Sequence, residues 1–166
     1  KQRRLTQHGD IDWRPRWSPD GERIAFMRYD GRVSSVFVMH PDGSNVRKVV
    51  ENAESPAWSP DGFELAYVSA TDGALYRVPR DGGYPTPIGV GNSHGRAMSP
   101  AWSPHGAGVV FARRDGEQAG LFVASPRTGA TRRIATGSKY AASPVWTSDS
   151  SHVLFTSGAG RKSSLR

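Results

Sequence analysis

The apolar residues of this 166-residue chain fall in short, evenly spaced clusters. Four trios, Ile24-Ala25-Phe26, Leu65-Ala66-Tyr67, Val109-Val110-Phe111 and Val153-Leu154-Phe155, each begin seven residues after a tryptophan, at positions 17, 58, 102 and 146. A turn signal follows each trio, at Asp30-Gly31, Asp72-Gly73, Asp115-Gly116 and Ala159-Gly160. Three β-rich runs come next: Val36-Phe37-Val38, Leu75-Tyr76-Arg77-Val78 and Leu121-Phe122-Val123. Second turns at Pro41-Asp42-Gly43, Arg80-Asp81-Gly82 and Arg127-Thr128-Gly129 lead into closing runs around Val46–Val49, Thr86–Ile88 and Thr131–Ile134. No stretch sustains a helical apolar period, so the pattern predicts consecutive antiparallel strands joined by hairpins.

The tryptophan intervals of 41, 44 and 44 residues mark an internal repeat, and a period near that length suits a four-stranded propeller blade. Each tryptophan opens the same phrase. Trp17-Ser18-Pro19-Asp20-Gly21 returns unchanged at Trp58–Gly62, with one change at Trp102–Gly106 and worn down at Trp146–Ser150. Proline presets the first turn dihedral, aspartate bonds nearby amides, and glycine accepts the positive φ that returns the chain. The fourth copy lacks the glycine and is expected to turn less well. The tryptophan supplies a large apolar surface to wedge between blades, its burial contributing about 2–3 kcal/mol.

The phrase and its lead-in, Arg14-Pro15-Arg16-Trp17, Ser55-Pro56-Ala57-Trp58, Ser99-Pro100-Ala101-Trp102 and Ser143-Pro144-Val145-Trp146, resemble the blades of TolB-like β-propellers. The resemblance covers essentially the whole chain. It implies an all-β propeller of four-stranded antiparallel blades, with repeats at approximately 13–50, 54–90, 98–136 and 142–166. Gln2–Thr6 resembles Thr131–Ala135 and reads as the last strand of a blade, so the fourth blade is expected to be split between the termini. Three arrangements fit: an excerpt of a longer propeller, two copies forming an eight-bladed ring, or a four-bladed ring.

Glycine (19) and proline (12) are abundant, but they sit at the turns, which argues for tight hairpins instead of disorder. The chain has no cysteine, which excludes disulfides and thiolate metal sites. No apolar run reaches membrane-spanning length. The net charge of +7 admits an anionic partner. The basic dyads Arg3-Arg4, Arg47-Lys48 and Arg132-Arg133 recur at one place in the repeat without interleaved aromatics. They suit outer strands protected against edge pairing better than a nucleic-acid rim, so nucleic acid is disfavoured as a partner.

Function is expected in the variable loops that lead into each first strand. The candidate ligand-binding residues are His8, Asp10, Asp12, Arg14, Glu54, His94, Arg96 and Lys139, with Trp13 and Tyr140 as further contacts. His8 and His94 invite a metal reading, but the second and fourth lead-in loops carry no matching histidine, and neither a metal nor a cofactor is expected. No nucleophile, phosphate-loop or dinucleotide motif is present, and no catalytic residue is assigned. The resemblance implies a non-catalytic scaffold binding a protein or peptide, periplasmic or extracellular. The split fourth blade adds, as a further partner, a second copy of the chain in a homodimer that completes a larger propeller. Related blades also occur in oligogalacturonate lyases and in the gating propellers of prolyl-oligopeptidase-like peptidases, so a fragment of such an enzyme is the alternative.

Overall fold

The structure is a computed structural model that describes residues 2–89, 95–115, 118–134, 136–138, 140–159 and 162–165. Its described residues form strands and turns without helix. The first blade holds β1 (Ile11–Trp17), β2 (Ile24–Tyr29), β3 (Ser34–Met39) and β4 (Arg47–Glu51), each antiparallel to the next. The second holds β5 (Ala53–Trp58), β6 (Glu64–Ser69), β7 (Leu75–Pro79) and the two-residue β8 (Thr86–Pro87). The third holds β9 (Arg96–Trp102), β10 (Val109–Asp115), β11 (Gln118–Ala124) and β12 (Thr131–Ile134). The fourth has β13 (Tyr140–Trp146), β14 (Val153–Ala159) and β15 (Lys162–Leu165), with β13 bridged to β11 at Ala119 and Tyr140.

Every Ser-Pro-Asp-Gly phrase joins a first strand to a second. Gly21, Gly62 and Gly106 each donate an N–H to the carbonyl of the serine three residues back and hold φ of 72–73°. The serine is buried and closes the loop from inside: Ser59 Oγ bonds the Glu64 amide and carbonyl, while Asp61 Oδ1 takes Ser59 Oγ–H at 2.6 Å and the Phe63 amide at 3.0 Å. The serine hydroxyl, then the backbone amide, hold the Asp61 carboxyl below its usual range. The expected weakness of the fourth copy takes a specific form. Ser150 makes the same 2.9 Å bond to Thr147, but as a non-glycine residue at φ 58°. At Gly62 a Cβ would meet nothing nearer than 3.7 Å, so Gly62→Ala tests backbone conformation alone. It is expected to cost about 1 kcal/mol in urea unfolding.

The core lies between blades. Trp58, Leu65, Tyr67 and Val78 of the second blade pack on Ala25, Val36, Val38 and Val49 of the first. Val109 and Phe111 repeat this contact against Ala66, Val68 and Leu75. The basic dyads contribute as well: Arg47 of β4 donates to the carbonyl of Arg80 at 2.8 Å and pairs with Asp81 in the turn of the next blade. The dyad's first arginine therefore fastens one blade to another, a role beyond shielding an edge.

Residues 2–6 do not form the expected strand. They nonetheless lie against the first blade as β4 lies against the second. Arg3 bonds the carbonyl of Asp42, as Arg47 bonds that of Arg80, and Leu5 packs on Ile24, Phe26 and Met39. They have the outer-strand position without a ladder, because among the described residues no third strand lies beside them. At the other end, among the described residues, β15 pairs with β14 alone, and those residues do not close a ring.

Candidate functional site

The first strands of all four blades converge on a channel of about 590 Å³. Counted back from each tryptophan, its wall repeats one set of three: Arg14-Pro15-Arg16, Ser55-Pro56-Ala57, Ser99-Pro100-Ala101 and Ser143-Pro144-Val145, all but Pro15 lining the cavity. Arg14, Ser55, Ser99 and Ser143 adopt φ of 49–54°, and the ladder register slips there in each blade. A residue before proline ordinarily avoids helical conformations, so these bulges run against local preference. The proline, lacking an N–H, is the residue a bulge can carry without losing a ladder bond. The bulge brings the side chains on both sides of the proline to the channel wall.

The tryptophans tie the wall together. Trp58 Nε1 donates to the Arg16 carbonyl at 3.0 Å, and Trp146 Nε1 to the Ala101 carbonyl at 3.2 Å. The indole N–H of Trp102 is buried without a partner among the described residues. Arg14 Nη1 donates to Ser55 Oγ at 3.0 Å, spanning two blades on the channel surface.

At the mouth a second cavity of about 290 Å³ is lined by Ile11, Trp13, Met27 and Tyr29 together with Arg14, Ser34, Glu54 and Ser55. Ile11 is 61% exposed and Trp13 47%. Arg96 Nη2 reaches the Glu54 carboxylate at 2.8 Å beside this groove. Arg14 and Glu54 thus meet where the first two blades adjoin, and Arg96 reaches Glu54 from the third blade.

His8, Asp10 and Asp12 form a different group, engaged within the chain. Arg28 forks onto the Asp12 carboxylate, Nε to Oδ1 at 2.8 Å and Nη2 to Oδ2 at 3.1 Å. His8 Nε2 lies 3.0 Å from Asp12 Oδ2, and His8 Nδ1 accepts the Asp10 amide at 3.1 Å. Burial works against the Asp12 charge, but hydrogen bonds from Arg28 and Thr6 and the positive charges of Arg28 and His8 outweigh it and lower the carboxyl pKa. The Arg28 guanidinium also covers Phe37 at 4.6 Å and Phe26 at 5.4 Å. His94 and Lys139 lie outside the described residues. Among the described residues, no group of three or more His, Cys, Asp or Glu is placed to hold a metal ion, and no helix is long and apolar enough to cross a membrane.

Sequence reasoning passed over Arg16, Tyr29 and the three bulge serines. The signal for Arg16 was available: alanine or valine stands before the tryptophan in the other three blades.

Comparison with known proteins agrees with this architecture. The chain is similar to the Tol-Pal system protein TolB of Nitrosomonas europaea, 46% identical over 50 residues that cover 28% of this chain and 12% of that protein. The first curated relatives it matches are covered over only 12–27% of their length. Its fold is similar to that of TolB from Acinetobacter baumannii, with a TM-score of 0.81 and 14% identity, covering 97% of this chain and 41% of that one. It is also similar in fold to a puromycin-hydrolyzing peptidase of Mycobacterium tuberculosis, with a TM-score of 0.73 and 14% identity, covering 94% of this chain and 28% of that one. The model of the TolB β-propeller domain family matches residues 35–164, and the chain belongs to that family.

Proposed function

We propose that this propeller is a non-catalytic scaffold that binds a protein or peptide at its channel face, in the periplasm or outside the cell. The observation that carries this reading is the mouth of the channel. An exposed apolar groove of Ile11, Trp13 and Tyr29 adjoins Arg14 and the Glu54–Arg96 pair, on a wall supplied by all four blades. Aromatic anchors beside charged rims are what peptide recognition draws on. Similarity to TolB supports it, and the likeness to a peptidase keeps an enzyme segment as the rival. Panning a displayed library of linear peptides tests it. Ligands are expected whose binding quenches tryptophan fluorescence and is lost in Trp13→Ala. Peptides that are cleaved on incubation would favour the rival.

A second copy of the chain is the further partner in this reading. The first blade turns Trp17 outward at 60% exposure, whereas Trp58, its counterpart, is buried at 8%. The fourth blade ends on Leu154 at 40%, where Ala25, Ala66 and Val110 are at 0%. The two faces are the complementary halves of one blade contact, and β15 offers residues 2–6 the strand they lack. Light scattering is expected to give twice 18.0 kDa for the intact chain, and the mass of a single shortened chain when residues 1–6 are removed. A monomer for the intact chain would end the dimer reading.

A further inference from the structure

The channel wall departs from its own repeat at one place. Three blades present serine and then alanine or valine on the two sides of the proline; the first presents Arg14 and Arg16. The fold does not ask for arginine there. Serine meets the same φ in the other blades, and Trp58 bonds the carbonyl of Arg16, not its side chain. At φ 51°, Arg14 carries a long side chain in a conformation costly to any residue but glycine. Both arginines are exposed, and they are the only charged side chains lining the channel among the described residues. Neither has an ion-pair partner among those residues, and the nearest groove carboxylate, Glu54, is held by Arg96. Two unpaired guanidinium groups within low-dielectric walls make a positive focus at the end of the apolar groove, and Arg14 lines both cavities.

We infer that the ligand of this channel is an acidic peptide segment whose carboxylates seat against Arg14 and Arg16 while a neighbouring apolar side chain fills the groove at Trp13 and Tyr29. This rests on the scaffold reading and narrows it. Guanidinium groups suit carboxylates because their planar forks can donate two parallel hydrogen bonds. The adjoining apolar groove, with Ile11 and Met27 among its walls, favours a peptide over an acidic polysaccharide as the source of the carboxylate.

The test uses the full chain and three probes: a capped peptide with two adjacent glutamates flanked by leucine and phenylalanine, its glutamine counterpart, and a short polygalacturonate. Binding is followed by calorimetry in wild type, in R14S and R16A, and in the double variant. Each substitution installs the residue that other blades carry, so thermal unfolding should change little, R14S giving up only the exposed bond to Ser55. The glutamate peptide is expected to bind at least tenfold tighter than the glutamine peptide, to weaken with added salt, and to lose that preference in the double variant. Equal binding of both peptides, unaltered by the substitutions, overturns the carboxylate assignment and leaves the scaffold reading standing. Binding of polygalacturonate without either peptide overturns both, as does binding of none of the three.

Discussion

Trp58→Ala is expected to destabilise the chain by about 3–5 kcal/mol at any protein concentration, and Trp17→Ala by under about 1 kcal/mol at dilutions where no second copy covers it. The two tryptophans occupy the same place in successive repeats and differ only in what faces them. Trp58 is wedged on Ala25, Val38 and Val49 and bonds the Arg16 carbonyl, so truncation opens a cavity between two blades and strands an acceptor. Among the described residues no blade lies in front of Trp17, which is 60% exposed, so truncation removes little burial within one copy. Urea unfolding of both variants measures the difference. Equal losses would show that Trp17 is covered in solution. The effect would then depend on protein concentration if a second copy covers it. The pair of variants thus reads the open face of the first blade from stability, independently of a mass measurement.

The blades were legible because the repeat is written at points where chemistry leaves few options: proline and glycine in the turn, tryptophan at the wedge, apolar trios in the second strands. Other features were hidden for physical reasons. The left-handed residue before each inner proline contradicts the local rule, and only the curvature of a strand around a channel explains it. Residues 2–6 read as a strand from their likeness to Thr131–Ala135. A strand also needs a neighbour, and pattern does not reveal which neighbour is present. In the candidate site, Arg14 and Glu54 line the groove and Arg96 reaches Glu54, although all three lie on first strands and not in the lead-in loops. His8, Asp10 and Asp12 are instead engaged with Arg28, whose part a reading of loops alone could not foresee. Alignment on the tryptophans would have exposed it. Five residues before each tryptophan stand Asp12, Ala53, Ala97 and Ala141, and the strand partners of these positions are Arg28, Ser69, Arg113 and Ser157.

That register predicts the outcome of Asp12→Ala. The three alanines at this position are buried, so a small side chain fits, and packing is not what the substitution loses. It removes the partner of a guanidinium whose side chain is only 13% exposed, leaving Asp10 at 3.9 Å from Arg28 Nε. Deleting one half of a buried pair costs about 3–5 kcal/mol; here water reaches the rim and Asp10 compensates in part, so a loss of about 2 kcal/mol is expected. The double variant Asp12→Ala, Arg28→Ser converts the pair to the Ala–Ser of the second and fourth blades. It should recover most of that loss, although it gives up the guanidinium's contact with Phe26 and Phe37. Acid sharpens the test. The folded Asp12 carboxyl titrates below its unfolded value of about 3.9, so its stabilisation is complete above that pH and fades as pH falls through the lowered value. The gap between wild type and Asp12→Ala should therefore be constant near neutrality and narrow below about pH 4, where wild type loses stability that the variant never had. A gap that stays constant into acid would mean that Asp12 acts through shape alone. Failure of the double variant to recover would mean that Arg28 holds the blade through its aromatic contacts and not through the ion pair.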